Sequence, residues 1–333
     1  MPCYNNGKYV AQAIESVQAQ THKDWQLVVV NDGSIDESER VIMQYAATDK
    51  RIKYIRQENA GVSAARNRGV QEAVEEYICF LDADDRLKKN HLSLLINAVK
   101  SGEKIVYGGI TQRTIHHGIM NDYPKPISTS NIVDAILNND NISAPYNVLI
   151  KTELLKEVRF NERYTYGEDA VLKLQLFNLV DNIALIPLTG YIYVRDSENN
   201  SAVDRYHERM EDAVNEKFLL LASILQKYGC AKEEAEKLSH KMYYDAAIVP
   251  ILTNPFHIGT PLSFWGKYKR ILNNFFSDES LPARIFKECS SKNDNNPFCR
   301  LLRLGRNLHS CLFVTAVLEL FYRFKYKKLQ KCC

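Results

Sequence analysis

The sequence predicts an α/β fold in which a doubly wound, mostly parallel sheet is followed by a helical C-terminal subdomain. Over the first hundred residues, segments of helical periodicity alternate with short apolar, β-branched runs. Two of those runs end in polar clusters, and from about residue 206 the pattern becomes helical. Alternating strands and helices favour a parallel sheet that helices cover on both faces. We therefore expect one domain at 1–204 and a second at 205–333.

The individual elements follow from local spacing. A first helix is predicted from a stripe of apolar residues one helical turn apart, Val10, Ala13, Ile14 and Val17. Apolar runs at 25–30 and 77–81 predict buried strands, and polar clusters at 31–34 and 82–85 follow them directly. Because ligands of such sheets bind beyond the carboxyl ends of the strands, these two clusters mark the expected site.

The charge balance of the 333-residue chain is close to neutral, with a formal net charge of +3. That value gives no indication of a nucleic-acid partner. The charge is uneven, however: residues 297–333 contain eight basic residues and one acid, Glu319, for a net charge of +7. A basic tail on a mildly acidic body indicates an anionic surface as partner.

Cysteine usage and the lack of sorting patterns favour a cytoplasmic location. The eight cysteines show no CxxC pair and no short metal-ligand spacing, so we expect reduced thiols. The first residues have no secretory-signal pattern, and no run of about 18 apolar residues predicts a membrane span.

Three carboxylates stand within four residues at Asp82, Asp84 and Asp85. They repel one another unless a cation or a helix N-terminus offsets their charge. Carboxylate oxygens suit Mg²⁺ or Mn²⁺, which would also bridge to phosphate. An acidic loop that caps the next helix is the alternative interpretation.

Three further segments carry candidate binding groups, each with a structural alternative. Asp32 can accept a hydrogen bond from a nucleobase N–H, but the 31–34 cluster is also an ordinary strand-to-helix turn. Tyr4 can stack on a base, or segment 2–7 is only a loop. Arg66, among the small residues of 59–69, is a candidate phosphate anchor, and a tightly packed surface helix is the alternative.

Gly167-Glu168-Asp169 precedes an apolar helical segment. Acidic side chains at a helix N-terminus are favourable for the helix dipole alone. One of these two carboxylates can instead be a general base that deprotonates an acceptor hydroxyl. Both interpretations stay open on these residues alone.

Taken together, these segments resemble the motifs of the family 2 inverting glycosyltransferases of GT-A fold. The family patterns are P-x-Y-N, N-D-G-S, N-x-G-x-x-x-A-R-N-x-G, D-x-D-D and G-E-D. Here they occur in that order at 2–5, 31–34, 59–69, 82–85 and 167–169, so the resemblance covers about residues 1–200. It implies a GT-A fold with Mn²⁺ or Mg²⁺ as cofactor.

The resemblance implies a donor-binding role for most of the matched positions. The residues that would border the nucleoside are Pro2, Tyr4 and Asn5, and Asp32 would bind the uracil edge. Arg66 would lie near the base or the diphosphate. Asp82 would contact the ribose or the metal, and Asp84 would hold the metal on the diphosphate.

The chemical step is implied in the same way. Asp169 would be the catalytic base, with Glu168 the less favoured candidate, and Arg195 would close over the diphosphate. The implied reaction is inverting transfer of one sugar from a nucleotide sugar, with UDP the family's usual nucleotide. The acceptor would be a hydroxyl of a glycan or a lipid-linked saccharide in cell-surface polysaccharide synthesis. The Q-x-x-R-W motif, which marks processive polymerases in this family, does not occur in the sequence.

The sequence departs from the family pattern at its start. Members carry an apolar strand before P-x-Y-N, whereas Met1 stands immediately before Pro2 here. We therefore expect the first strand to be missing, with a misplaced start as the favoured explanation. The rival hypothesis is an N-terminally truncated, non-catalytic nucleotide-sugar-binding or scaffold protein. Neither a dinucleotide-binding G-x-G-x-x-G nor a P-loop motif occurs, which disfavours oxidoreductases and phosphotransferases.

The C-terminal tail supports a hypothesis of membrane attachment. Leucines alternate with Arg300, Arg303 and Arg306, and an apolar segment and a basic finish follow. A basic amphipathic helix can lie on an anionic bilayer, so the protein would be peripheral at the inner face of the membrane. An ordinary packed helix with solvated lysines is the alternative.

Overall fold

The computed structural model describes residues 1–99, 102–114, 120–122, 146–195, 205–257, 259–290, 296–307 and 310–330. The chain divides into two compact units, Met1–Asn199 and Asn200–Cys333. The first is an α/β unit and the second is helical, as the sequence predicts.

The first sheet of the N-terminal unit is wholly parallel. Its order is β1-β2-β3, in which β2 is central, and the strands are β1 (Pro2–Cys3), β2 (Leu27–Asp32) and β3 (Ile52–Gln57). All six residues of β2 are buried because helices cover both faces of this strand. Parallel pairing places the polar ends of β1 and β2 together, since Cys3 lies opposite Asn31.

Three helices alternate with these strands: α1 (Val10–Gln18), α2 (Ser38–Thr48) and α3 (Val62–Glu72). The predicted stripe of α1 is fully buried and packs on the Leu27 and Val29 face of β2. Val28 and Val30, on the opposite face, pack against Ala65 of α3. Thus α1 and α3 cover opposite faces of the sheet.

The second sheet is mixed. Its order is β4-β8-β6-β9-β5 with β7 paired to β6, and the strands are β4 (Tyr77–Cys79), β5 (Arg86–Leu87), β6 (Ile105–Thr114), β7 (Met120–Asp122), β8 (Val148–Lys151) and β9 (Ala184–Arg195). Only β6 and β9 are parallel; the other pairs are antiparallel. The prediction of a mostly parallel sheet therefore describes the first sheet and is corrected for the second. Local periodicity marks a strand but does not encode the direction of a partner that lies some 70 residues away, as β8 does from β4.

Three helices accompany the second sheet: α4 (His91–Ala98), α5 (Thr152–Glu157) and α6 (Glu168–Leu179). Apolar residues of α6 are buried, including Leu174 and Phe177. The Phe177 ring meets the Tyr107 ring of β6 edge to face, with centroids 6.0 Å apart. This packing fixes the start of α6, where Glu168 and Asp169 stand.

The N-terminal strand of the first sheet is short, with two residues. Pro2 and Cys3 form β1, and Met1 continues its ladder: the Met1 amine donates to the Val28 carbonyl at 2.9 Å, and the Val30 amide donates to the Met1 carbonyl at 2.9 Å. The ladder on this side of β2 therefore extends over the second half of that strand.

The second unit consists of helices. They are α7 (Met210–Lys227), α8 (Lys232–Thr253), α9 (Phe264–Ile271), α10 (Leu281–Cys289), α11 (Pro297–Asn307) and α12 (Cys311–Gln330). Between α7 and α8, the fully buried Tyr243 donates its hydroxyl to Asn215 at 2.8 Å. None of the helices in the described parts of the chain combines the length and the apolar character that crossing a bilayer requires.

Candidate active site

A cavity of about 310 Å³ opens where β1, β2 and the segment after β4 end. We call it the polar cleft and define it by five of its lining residues, Tyr4, Asp32, Arg66, Asp82 and Asp84. Pro2 also lines it. The polar clusters that the sequence places after two strands therefore meet at one edge, as parallel topology predicts.

Asp32, the last residue of β2, is buried and already well bonded. Its Oδ1 accepts from the Gln57 side chain at 2.7 Å and from the Ala60 amide at 2.9 Å, and its Oδ2 accepts from the Gly61 amide at 2.8 Å. The carboxylate thus holds the loop before α3. A carboxylate offers about four acceptor positions, so capacity for one further donor in the cleft is left.

The N-terminal loop is tied to the turn after β2 by Asn5. The Asn5 backbone has a φ of 52°, its amide donates to the Ser34 hydroxyl at 3.0 Å, and its side-chain oxygen accepts from the Ile35 amide at 3.0 Å. Asn5 itself does not line the cleft; it positions Tyr4, which does and is 48% exposed. Asparagine tolerates this left-handed conformation better than most side chains.

Arg66 connects the two acidic groups that the sequence places about 85 residues apart. Its guanidinium bonds Asp82 Oδ1 at 3.0 Å and Glu168 Oε1 at 3.3 Å, and it lies 5.3 Å from the centre of the Phe160 ring. Only 6% of the Arg66 side chain is exposed. A buried cation needs such partners, so removal of either carboxylate is expected to be costly.

Asp84 and Asp85 are neighbours with different environments. The Asp84 carboxylate lines the cleft, and its only hydrogen-bond or ion-pair partner among the described residues is its own backbone amide. Loss of solvent in the cleft, with the nearby Asp82 charge, raises the pKa of Asp84 to about 6. Asp85 points inward, where it accepts from the Tyr191 hydroxyl at 2.6 Å and the Val194 amide at 2.8 Å. Burial, together with the Asp82 and Asp84 charges, raises the pKa of Asp85 to about 8.

Glu168 and Asp169 form the first turn of α6, and the left-handed Gly167, with a φ of 75°, precedes them. The Asp169 carboxylate accepts from the Ala170 amide at 2.7 Å. Burial and the Asp169 charge raise the pKa of Glu168 to about 7, against the opposing effect of Arg66. Neither residue lines the polar cleft directly; Arg66 is the link between them and Asp82.

Tyr191 is a site residue that sequence reasoning did not single out. Its buried hydroxyl accepts from the Asp82 amide at 3.2 Å and donates to the Asp85 carboxylate at 2.6 Å. The two bonds fix the backbone at Asp82 and the side chain of Asp85. Tyr146 stacks on Tyr191 and on Tyr193, with ring centroids 4.7 and 5.8 Å apart. The alternation of Tyr191 and Tyr193, which places both on one face of a strand, was the available signal.

Two further expectations concern Arg195 and a metal site. Arg195 ends β9, but its side chain lies outside the described residues. Across the described parts of the chain, no three His, Cys, Asp or Glu side chains are grouped in a way that would hold a metal ion by themselves.

Comparisons with known proteins agree with these motifs. Residues 1–159 match the model of the family described as Glycosyl transferase family 2. The chain is 27% identical over 239 residues to glycosyltransferase GlyA of Streptococcus pneumoniae, a match that covers 67% of this chain and 34% of GlyA. It is 33% identical over 213 residues to the minor teichoic acid biosynthesis protein GgaB of Bacillus subtilis, a match that covers 61% of this chain and 23% of GgaB. The chain thus spans about a third or less of the length of these two relatives.

Among solved structures, the chain is similar to residues 1–349 of S. aureus TarS in complex with UDP-GlcNAc. The TM-score is 0.67 at 18% identity, and the match covers 97% of this chain and 90% of that one. The likeness extends over both units and shows a shared fold. Residues 1–159 of this chain thus match glycosyl transferase family 2, and the N-terminal unit that contains them has the GT-A fold.

Proposed function

We propose that this protein transfers a single sugar from a UDP-sugar, with inversion and with the help of a divalent metal, to a hydroxyl of a glycan or lipid-linked acceptor. The observation that carries the proposal is the polar cleft, where Asp84 presents a carboxylate without a described partner in another residue, beside Asp82, Asp32 and Arg66. Two relatives support the substrate class. TarS is described in complex with UDP-GlcNAc, and GgaB is named for teichoic acid biosynthesis.

The donor set suits Mn²⁺ or Mg²⁺. Mg²⁺ in phosphate-transfer sites commonly binds through one or two carboxylates and completes its shell with substrate phosphates and water. Asp84 would be the principal ligand and Asp82 the second, although Asp82 also pairs with Arg66 at 3.0 Å. When bound, the ion would neutralise the charge that develops on the departing diphosphate.

The nucleoside would lie along the N-terminal loop. Tyr4 lines the cleft and its ring is half exposed, so it can stack on a base. Pro2 and Asn5 set the position of that ring, and the remaining acceptor capacity of Asp32 faces the uracil edge. Arg66 would neutralise charge near the diphosphate, and Arg195 would close over it.

Asp169 would act as the base. Its carboxylate takes the proton of the acceptor hydroxyl while that oxygen forms a bond to the anomeric carbon, and the bond from this carbon to the diphosphate breaks. Attack opposite to the leaving group inverts the anomeric configuration, and no covalent intermediate forms. Glu168 is less suited because it is bound to Arg66 at 3.3 Å, so we assign it to positioning that arginine.

The second unit supports peripheral attachment to an anionic membrane, which would give access to a lipid-linked acceptor. Large apolar side chains on α11 and α12 are about half exposed, namely Leu304, Leu312, Leu320 and Phe321. Glu319, the only acid in the basic tail, is paired with Lys267 at 2.8 Å and is largely buried. Among the described side chains of this tail, the exposed ones include these four apolar residues and Arg300, and anionic bilayers bind apolar and basic groups in combination. The side chains from residue 323 onward lie outside the described structure.

The proposal is tested by thermal shift and by a transfer assay. Mn²⁺ with the correct UDP-sugar should raise the melting temperature, and Asp84→Asn should abolish that shift. Glu37→Gln, which removes an exposed acid that pairs with Arg40 outside the cleft, is the matched control. The product's anomeric configuration, measured by NMR coupling constants, should be opposite to the donor's.

The outcome also separates the proposal from its rival. Binding of UDP-sugars without transfer to any acceptor and without metal-dependent hydrolysis would favour a nucleotide-sugar-binding scaffold. No shift with UDP-, GDP- or dTDP-sugars, with or without Mn²⁺, would overturn both hypotheses.

A further inference from the structure

Asn67 stands next to Arg66 on α3 but does not line the polar cleft. It is only 6% exposed, and both polar atoms of its side chain are bonded. The Oδ1 atom accepts from the Phe160 amide at 3.0 Å, and the Nδ2 atom donates to the Phe160 carbonyl at 2.9 Å. The same Nδ2 atom donates to the Glu162 carboxylate at 2.8 Å. Asn67 therefore pairs with both backbone groups of Phe160, as a residue of a neighbouring antiparallel strand would.

Phe160 connects this pairing with the cleft. Its ring is buried, and the Arg66 guanidinium lies over it, 5.3 Å from the ring centre. The Phe80 ring meets it edge to face, with centroids 5.3 Å apart, and Phe80 stands two residues before Asp82. A guanidinium is attracted to the face of an aromatic ring. The position of Phe160 therefore affects both Arg66 and the strand end that precedes the acidic segment.

Phe160 also begins the segment that leads to the proposed base. Residues 160–167 run to the start of α6, where that base stands. Two adjacent residues of α3 hold this segment: Asn67 binds its first residue, and the Arg66 guanidinium bonds Glu168, which follows its last, at 3.3 Å. Consecutive residues of a helix project about 100° apart, so the two contacts restrain the segment in different directions.

Loss of the Asn67 amide would leave the N–H and the C=O of Phe160 without these partners. Buried polar groups without hydrogen bonds are costly, so the backbone would shift to regain partners. Such a shift moves segment 160–167 and the start of α6 with it. Because a general base must reach the proton that it takes, a displacement of about 1 Å can slow the reaction about 10²-fold.

We infer that Asn67 is a positioning residue, which holds segment 160–167 through Phe160 and thereby sets the place of Asp169. The inference rests on the proposed function for the role of that carboxylate. Asn67 does not line the cleft, so its loss leaves the donor-binding groups in place. Removal of Asn67 should therefore lower kcat and leave the donor KM unchanged, because only the chemical step needs the base.

The kinetic test compares Asn67→Ala with Arg68→Gln, the matched control. Arg68 is the next residue of α3; its side chain is 47% exposed and pairs with Glu72, and neither residue lines the cleft. We expect Asn67→Ala to lower kcat about tenfold or more, with a donor KM within about threefold of the wild-type value. Arg68→Gln should change neither constant. All rates are measured well below the melting temperature of each variant.

Two further variants separate positioning from a loss of folding. Glu162 is exposed, so Glu162→Ala removes one bond of Asn67 without opening the core, and kcat should fall about two- to fivefold. In an Asp169→Asn background, Asn67→Ala should lower kcat by less than a further factor of about two, because the base is already absent. Losses that multiply in the double variant, or a loss confined to KM, would overturn the inference.

Hydrogen exchange of segment 160–167 gives a readout that needs neither nucleotide nor activity. Exchange in this segment should be about tenfold or more faster in Asn67→Ala and unchanged in Arg68→Gln. Unaltered exchange, or faster exchange with a wild-type kcat, would contradict the inference. If the wild-type chain transferred no sugar, the proposed function would fail, and exchange in the segment would still decide whether Asn67 holds it.

Discussion

The polar cleft and a second cavity of the same unit, whose walls are residues 25–28 and 77–81, are similar in size but differ in chemistry. The cleft, about 310 Å³, gathers carboxylates at the carboxyl ends of strands, whereas the second cavity, about 370 Å³, is lined mostly by apolar side chains, with Arg66 and three acidic residues also in its lining. Within the described structure, the charged groups of the cleft have partners in other residues except at Asp84, the proposed ligand of a cation. In the second cavity, the Trp25 indole N–H and the Gln26 side-chain oxygen have no hydrogen-bond partner in the described structure, and the Met1 amine is buried. The cleft therefore presents charged groups, and the second cavity presents mostly apolar side chains.

The sharpest test of the cleft is Asp169→Asn. The amide keeps the shape of the side chain but cannot take a proton, so the transfer rate should fall about 10²–10⁴-fold. Glu168→Gln is the comparison, and its loss should be at least about tenfold smaller because that carboxylate serves to hold Arg66. The rate of sugar transfer at saturating donor, with melting temperatures as a folding control, is the measurement. A larger loss in Glu168→Gln would reverse the two assignments.

Acetylation of the Met1 amine tests the burial of this amine through the pH dependence of stability. The amine has a pKa of about 5 in the folded chain and 8.0 when unperturbed, so between these values the unfolded chain binds a proton that the folded chain does not. The free energy of unfolding should therefore rise with pH across this window. The acetylated chain should lack that contribution and be more stable at pH 5 by on the order of 2–4 kcal/mol.

Urea unfolding of both forms at pH 5 and pH 8 measures this difference. The two forms differ only at the amine, so the comparison isolates its contribution. A stability difference that is the same at both pH values would contradict the burial of the chain end.

A smaller effect is expected from Tyr191→Phe. Removal of the hydroxyl leaves one oxygen of the buried Asp85 and the Asp82 amide without their partner, which should cost about 1–3 kcal/mol of unfolding free energy. Tyr146→Phe keeps the stacked ring pair and serves as control, with an expected loss below about 1 kcal/mol. Chemical denaturation of the two variants measures both values, and equal losses would show that Tyr191 acts only through its ring.

Much of the first sheet could be predicted because local pattern and topology agree there. The apolar stripe of α1 predicts only a helix, and the apolar run of β2 predicts only a buried strand. Right-handed crossovers between parallel strands then bring the polar ends of the strands together. The second sheet could not be predicted in the same way. β4 and β8 are apolar runs whose antiparallel pairing joins residues such as Ile78 and Ile150, far apart in sequence.

Within the site, the sequence identified the acidic residues but not which of them faces the cleft and which is buried. Asp84 and Asp85 are chemically identical neighbours, and no local pattern distinguishes them. Their difference arises from β9, where Tyr191 and the Val194 amide bind Asp85 and leave Asp84 to the cleft. The same applies to Arg66, whose pairing with Glu168 requires α6 to dock beside α3.

The sequence by itself determined which segments are strands and helices, where the polar clusters follow them, and to which family the motifs belong. These properties depend on periodicity and residue type, which are local. Only the tertiary structure decided which carboxylate faces the cleft and which partners Arg66 takes. Those outcomes depend on contacts between residues up to about a hundred positions apart, such as Asp85 and Tyr191, and they are set by packing, which a sequence pattern does not contain.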